Sequence, residues 1–214
     1  MNLEQELDVC RRASLARTPA PQVARLLRSL ETVRSGGIAR SALTVGDSAP
    51  LFTLPDIAGT PVSLAARLAR GPVVVSFYRG RWCTYCGLEL QAYREAAARI
   101  QSLGASLLAI SPEQNAEPVA ELAEGGFELL MDAGNRVARR FGIAFQLPPA
   151  LQELYREAGI DLPRINADTG WELPVPATYV IAPDRRISLA YVEVDYRQRL
   201  DPTAVLAVLA ETGS

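Results

Sequence analysis

Apolar positions along the first forty residues fall at helical spacing. Leu26, Leu27, Leu30 and Val33 recur three and four apart. Pro19 and Pro21 divide the segment into a helix over residues 3–16 and a second over 21–35, which Gly36 and Gly37 stop. Such an arm is expected to pack on the rest of the chain or on a second subunit. From Val45 the texture changes. Phe52 to Leu54 and Pro61 to Leu64 flank Asp56 to Thr60, where Gly59 supplies turn chemistry, and the pair reads as a hairpin. Pro72 to Tyr78 is short, β-branched and apolar without a break, the pattern of a strand buried on both faces. A helix follows over 85–103, with Leu88, Leu90, Tyr93, Ala97 and Ile100 sharing much of one side. The alternation then predicts a strand over 105–110, a helix over 112–124, a strand over 127–131 and a helix over 135–141. Residues 146–170 read as an insertion with one short helix over 149–158. Strands over 177–182 and 187–194 are joined at Pro183-Asp184, and a closing helix over 202–211 is capped by Asp201. Strands alternating with helices imply an α/β sheet covered on both faces, and the adjacent last strands make it mixed.

Length divides this pattern into one domain, residues 45–214, with an N-terminal helical extension over 1–40. A hydrophobic fraction of 49% is enough for a packed core, and a net charge of −2 offers no basic field for nucleic acid or membrane. Glu4, Glu6 and Asp8 stand where a secretory signal needs positive charge followed by an apolar run. The expectation is a soluble, cytoplasmic protein.

Three cysteines and no histidine narrow the chemistry. An odd, low cysteine count argues against a secreted disulfide framework. Without imidazole there is no Cys–His pair and no Ser–His–Asp triad, so any reactive cysteine must be activated by backbone dipoles or arginines. Cys83 and Cys86 stand two residues apart where the buried strand ends and a helix begins. Unpaired N–H groups and the positive end of the helix dipole favour thiolate there. Arg79 and Arg81 would add to this if they point inward. The spacing lets a disulfide close within one turn, so the pair can cycle between dithiol and disulfide. Zinc would need two more ligands, and Cys10 is the one other thiol. Two buried structural cysteines are the plain alternative. Cys10, on the first helix, reads as inert packing. Tyr78, Trp82 and Tyr85 surround the pair, either shielding a thiolate, binding an apolar substrate or capping the sheet as core aromatics. Arg139, Arg140, Arg185 and Arg186 read as surface charges. No flavin, nicotinamide or phosphate-loop motif is present, so no cofactor is expected.

Three stretches carry a family resemblance: Val45-Gly46-Asp47-Ser48-Ala49-Pro50-Leu51-Phe52-Thr53-Leu54-Pro55-Asp56, Phe77 through Cys86, and Pro174-Val175-Pro176-Ala177-Thr178-Tyr179-Val180-Ile181. With them the chain resembles the alkyl hydroperoxide reductase/thiol-specific antioxidant family, in its peroxiredoxin-like branch that keeps Trp-Cys-x-x-Cys. The resemblance implies a thioredoxin-like fold and an antioxidant oxidoreductase that reduces hydroperoxides with electrons from a thioredoxin-type donor. It also allows a homodimer. Two registers compete. In the peroxiredoxin register Cys86 takes the attacking position, Cys83 replaces a threonine, Arg79 replaces a proline, and the later peroxide-site arginine falls at Pro176. In the thioredoxin register Cys83 is the exposed attacking thiol, Cys86 resolves it, and Pro176 is a cis-proline beside them. A protein-disulfide reductase is therefore an alternative activity. A non-catalytic thioredoxin-like interaction module, binding a partner through its N-terminal helices, is an alternative of another class.

Overall fold

A computed structural model describes residues 2–114 and 126–212. Its centre is a five-stranded sheet in the order Glu128–Met131, Ser106–Ser111, Val73–Phe77, Ala177–Ile181, Ile187–Val192. The strand Val73–Phe77 runs parallel to Ser106–Ser111 and antiparallel to Ala177–Ile181, so the sheet is mixed as expected. Every residue of Val73–Phe77 is buried, because layers cover both faces of this central position.

Side-chain alternation sorts the sheet into two cores. Val73, Val75, Phe77, Leu108, Ile110, Tyr179 and Ile181 face one side, where Phe77, Phe141 and Tyr179 stack with centroids 4.9–6.2 Å apart. Val74, Leu107, Ala109, Leu129 and Val180 face the other, under the helix Thr84–Ser102, the first helix Leu3–Arg17 and the closing helix Pro202–Thr212. Two polar residues interrupt this second face. Ser76 and Thr178 are cross-strand partners. Ser76 donates to Glu89 at 3.3 Å, and Thr178 shares a 3.2 Å hydrogen bond with Tyr93. Glu89 and Tyr93 are one helical turn apart, so two polar rungs register the long helix on the sheet.

The N-terminal helices run over Leu3–Arg17 and Ala20–Ser35, and Asn2 with Gln5 forms a capping box on the first. Leu3 and Leu7 enter the second core, while Arg25 reaches Glu153 and Glu157 at 3.4 and 3.0 Å. The hairpin pairs Thr53–Pro55 with Pro61–Ser63. Arg140, Arg185 and Arg186 are more than surface charges, since they donate to the carbonyls of Leu51, Ala49 and Gly46 and hold that stretch down.

Two expectations need correction or limits. The insertion holds two helices, Pro149–Glu157 and Leu162–Ile165, the second capped by Asp161. Two short strands, Ala144–Gln146 and Glu172–Pro174, frame it as an antiparallel pair too brief to show in an alternation pattern. The helix expected over 112–124 falls almost wholly outside the described residues, and 112–114 are not helical.

Candidate active site

Strand Val73–Phe77 delivers the chain into Tyr78 to Trp82, and Cys83 then caps the helix Thr84–Ser102. Gly80 is required in this link. Its φ of +142° is strained for other residues, and a Cβ there would stand 2.3 Å from Nε1 of Trp82. As the N-cap, Cys83 places its sulfur at the open N-terminal turn, and Cys86 falls within that same turn.

Both thiols are free and both are buried, Cys83 at 3% exposure and Cys86 at 0%. The expectation of an exposed Cys83 is therefore not met, because Trp82, the insertion and the loop before the closing helix cover the turn. Each sulfur has its own guanidinium. Nη2 of Arg79 lies 3.5 Å from the Cys83 sulfur, and Nη2 of Arg199 lies 3.2 Å from that of Cys86. The two sulfurs also interact with each other. A hydrogen bond from the Cys86 thiol holds Cys83 well below the ordinary cysteine range, against the penalty of burial and with help from Arg79 and Arg199. Burial and the neighbouring Cys83 push Cys86 well above that range. The pair is unequal: its surroundings favour the charged form at Cys83 and disfavour it at Cys86.

The arginines are held differently. Arg199 forms a 2.6 Å ion pair with Glu89, both side chains being 1% exposed, and donates to the carbonyls of Tyr196 and Gln198. Burial raises the Glu89 carboxyl above its usual range while Arg199 pulls it back. Arg79, 5% exposed, donates to the Tyr155 hydroxyl at 2.8 Å and sits over the rings of Tyr196, Trp82 and Tyr155 at 3.8, 4.8 and 5.7 Å.

Of the residues anticipated from sequence, Cys83, Cys86, Arg79, Trp82 and Tyr85 converge here. Tyr85 packs edge-to-face on Tyr196, and burial pushes its hydroxyl up to about 12 with a further contribution from Cys10. Arg81 turns away instead: its backbone N–H reaches Glu113 at 2.8 Å and its guanidinium lies 3.6 Å from the same carboxylate. Pro176 stands at the sheet end nearest the turn, next to Ala177, which pairs with Phe77. No peptide bond among the described residues is cis, so the cis-proline expectation fails. The N–H groups of Val175 and Glu193 bond Ile143 and Pro176 carbonyls and keep this stretch extended.

Arg199, Glu89, Tyr155 and Tyr196 were not anticipated. Glu89 had a visible signal, since it lies three residues after Cys86 and four before Tyr93, on the side of the helix that must be buried. A carboxylate there requires a cation, but nothing local says that Arg199 provides it. Among the described residues no cluster of cysteines and carboxylates could hold a metal ion. No helix among them is long and apolar enough to cross a membrane.

Known proteins share the family signature and the fold. Residues 45–190 match the family model described as the AhpC/TSA family. A putative peroxiredoxin of Mycobacterium tuberculosis is 35% identical over 103 residues, covering 47% of this chain and 67% of that protein. The thiol-disulfide oxidoreductase ResA of Geobacillus thermodenitrificans is 30% identical over 107 residues, covering 49% of this chain and 60% of that protein. The crystal structure of peroxidoxin BcpB from Mycobacterium tuberculosis superposes with a TM-score of 0.58 at 28% identity, over 79% of this chain and 97% of that one. With a thioredoxin-like sheet, a Cys-x-x-Cys pair at a helix N-terminus and a matching family model over most of its length, the chain belongs to the AhpC/TSA family and is a thiol-dependent oxidoreductase of the peroxidase type.

Proposed function

We propose that Cys83 and Cys86 reduce hydroperoxides through a dithiol–disulfide cycle, with Cys83 attacking and Cys86 resolving. The observation that carries this reading is a pair of cysteines in one helix N-terminal turn, each sulfur met by its own arginine at 3.5 and 3.2 Å, with Cys83 favoured as thiolate and Cys86 disfavoured. The Cys83 thiolate attacks the distal peroxide oxygen and the O–O bond breaks. An alkoxide leaves, to be protonated by solvent, and Cys83 becomes a sulfenic acid. The Cys86 sulfur then attacks that acid, its proton leaves with the hydroxyl as water, and the S–S bond forms. A thioredoxin-type dithiol returns two electrons. Residues 1–40 serve as an extension to the redox domain of 45–214, the cytoplasm is the reducing compartment that suits the cycle, and a homodimer is the assembly the family allows. Stopped-flow mixing of reduced protein with peroxide, and separately with a disulfide substrate, tests the substrate class. Fast oxidation by peroxide to a Cys83–Cys86 disulfide is expected.

A second reading, protein-disulfide reduction, is favoured by the Cys-x-x-Cys turn itself and by the stretch shared with the thiol-disulfide oxidoreductase. Reaction with the disulfide substrate alone would select it.

A further inference from the structure

Resting on the assignment of Cys83 as the reactive thiolate, we propose that Tyr155 is a positioning residue for the reaction, its hydroxyl holding the Arg79 guanidinium on the Cys83 sulfur. The insertion is then an active-site element. Arg79 is a buried cation, and among the described residues no carboxylate lies within ion-pair distance of it. Arg199, by contrast, is neutralised by Glu89. A buried charge without a partner is costly, so its surroundings must compensate it. Around Arg79 these are three aromatic rings, one hydroxyl and one sulfur. Rings accommodate a cation without cancelling its charge, which leaves that charge for the thiolate.

Direction is the remaining requirement. An arginine side chain has many rotamers, and the guanidinium is a rigid fork. Fixing Nη1 on Tyr155 at 2.8 Å orients Nη2, which then meets Cys83 at 3.5 Å. Tyr155 is itself fixed. It packs with Leu147, Leu151, Leu162 and Leu173 in a small core of the insertion and stands edge-to-face on Trp82 at 5.7 Å.

The test is a pH titration of thiolate ultraviolet absorbance, paired with alkylation by iodoacetamide, in the full chain carrying Cys10→Ser. Tyr155→Phe keeps the ring and removes the acceptor. It should raise the Cys83 midpoint by about one pH unit and slow alkylation below that midpoint about tenfold. Leu151→Ala loosens the same small core without touching Arg79, and should lower Tm while leaving the titration in place. In an Arg79→Gln background, Tyr155→Phe should have no further effect on the midpoint. An unchanged midpoint in Tyr155→Phe overturns the proposal. So does an equal shift in Leu151→Ala, or an additive shift in the double variant. Absence of any low-midpoint thiolate in the otherwise unaltered chain overturns the assignment of Cys83 as well.

Discussion

Arg199 lies 3.2 Å from the Cys86 sulfur across 113 positions of sequence. The peroxiredoxin register places a peroxide-site arginine at Pro176, yet the guanidinium at this sulfur arrives from the loop before the closing helix. Its charge is tied to Glu89 inside the same long helix that carries Cys86. Removing one member of so buried a pair strands the other. Arg199→Met should therefore lose about 3–5 kcal/mol of stability in urea denaturation of the reduced protein. The double variant Arg199→Met/Glu89→Gln should recover much of that loss. A single variant as stable as the parent would mean that Glu89 finds another partner or is protonated at no cost.

The identity of the attacking sulfur is open to direct trapping. Cys86→Ser should accumulate a sulfenic acid on Cys83 after peroxide, detectable with a dimedone-type probe and mass spectrometry, because no thiol remains in the turn to resolve it. Cys83→Ser should label weakly, its remaining sulfur being the one that burial keeps protonated. Strong label on Cys86 and none on Cys83 would reverse the two roles and restore the peroxiredoxin register.

Stability of the reduced protein should depend on pH with a definite sign. Cys83 is depressed in the folded state relative to the unfolded value of about 8.5. Between its folded midpoint and that value the unfolded chain binds more protons, so this group's contribution grows as pH rises and is lost as pH falls. Cys86 is raised, so its contribution is complete below the unfolded value and disappears as pH climbs toward its folded midpoint. Denaturation midpoints across the mildly acidic to neutral range should rise with pH in the parent and lose that slope in Cys83→Ser. Equal slopes would remove Cys83 as the titrating group.

Cys10 is half-buried on the first helix and packs against the cluster that contains both active-site cysteines, with Tyr85 as its electrostatic neighbour. Turnover in the proposed cycle needs two sulfurs, and the helix turn already holds them. Cys10→Ser should keep most of the peroxidase rate. A large loss at unchanged Tm would make it a third redox partner.

How much of this was legible in the chain depends on the range of the forces involved. Val73 to Phe77 could be placed as a central strand because continuous β-branched residues have few other stable homes. Cys83 and Cys86 could be placed because strand, turn and helix dipole are all local. The long helix, the closing helix and both N-terminal helices fell within a residue or two of their predicted ends. Arg199 and Tyr155 could not be found that way. Each reaches the turn through tertiary packing, from 113 and 76 positions away from its partner, and helical spacing could mark Tyr155 only as a core position of the insertion. Exposure of Cys83 was misjudged for the same reason, since its cover comes from the insertion and from the loop around Tyr196. The cis geometry expected at Pro176 came from analogy of register alone, and the hydrogen bonds of the neighbouring strands favour the extended trans chain.

The aromatic setting of Arg79 has a thermodynamic consequence for the redox couple. When the disulfide closes, the negative charge departs with the product, and the guanidinium keeps only a hydroxyl and three rings. The oxidised form thus loses an attraction that the dithiol form retains. Around a closed cycle of folding and oxidation, whatever stabilises the reduced fold must appear as a less negative reduction potential. The protein should accept electrons readily from a dithiol donor, and its oxidised form should melt below its reduced form. Arg79→Met should narrow that gap in Tm and shift the glutathione equilibrium toward the disulfide. An equilibrium that stays put, with the variant folded, would show that the charge on Arg79 is compensated equally in both redox states.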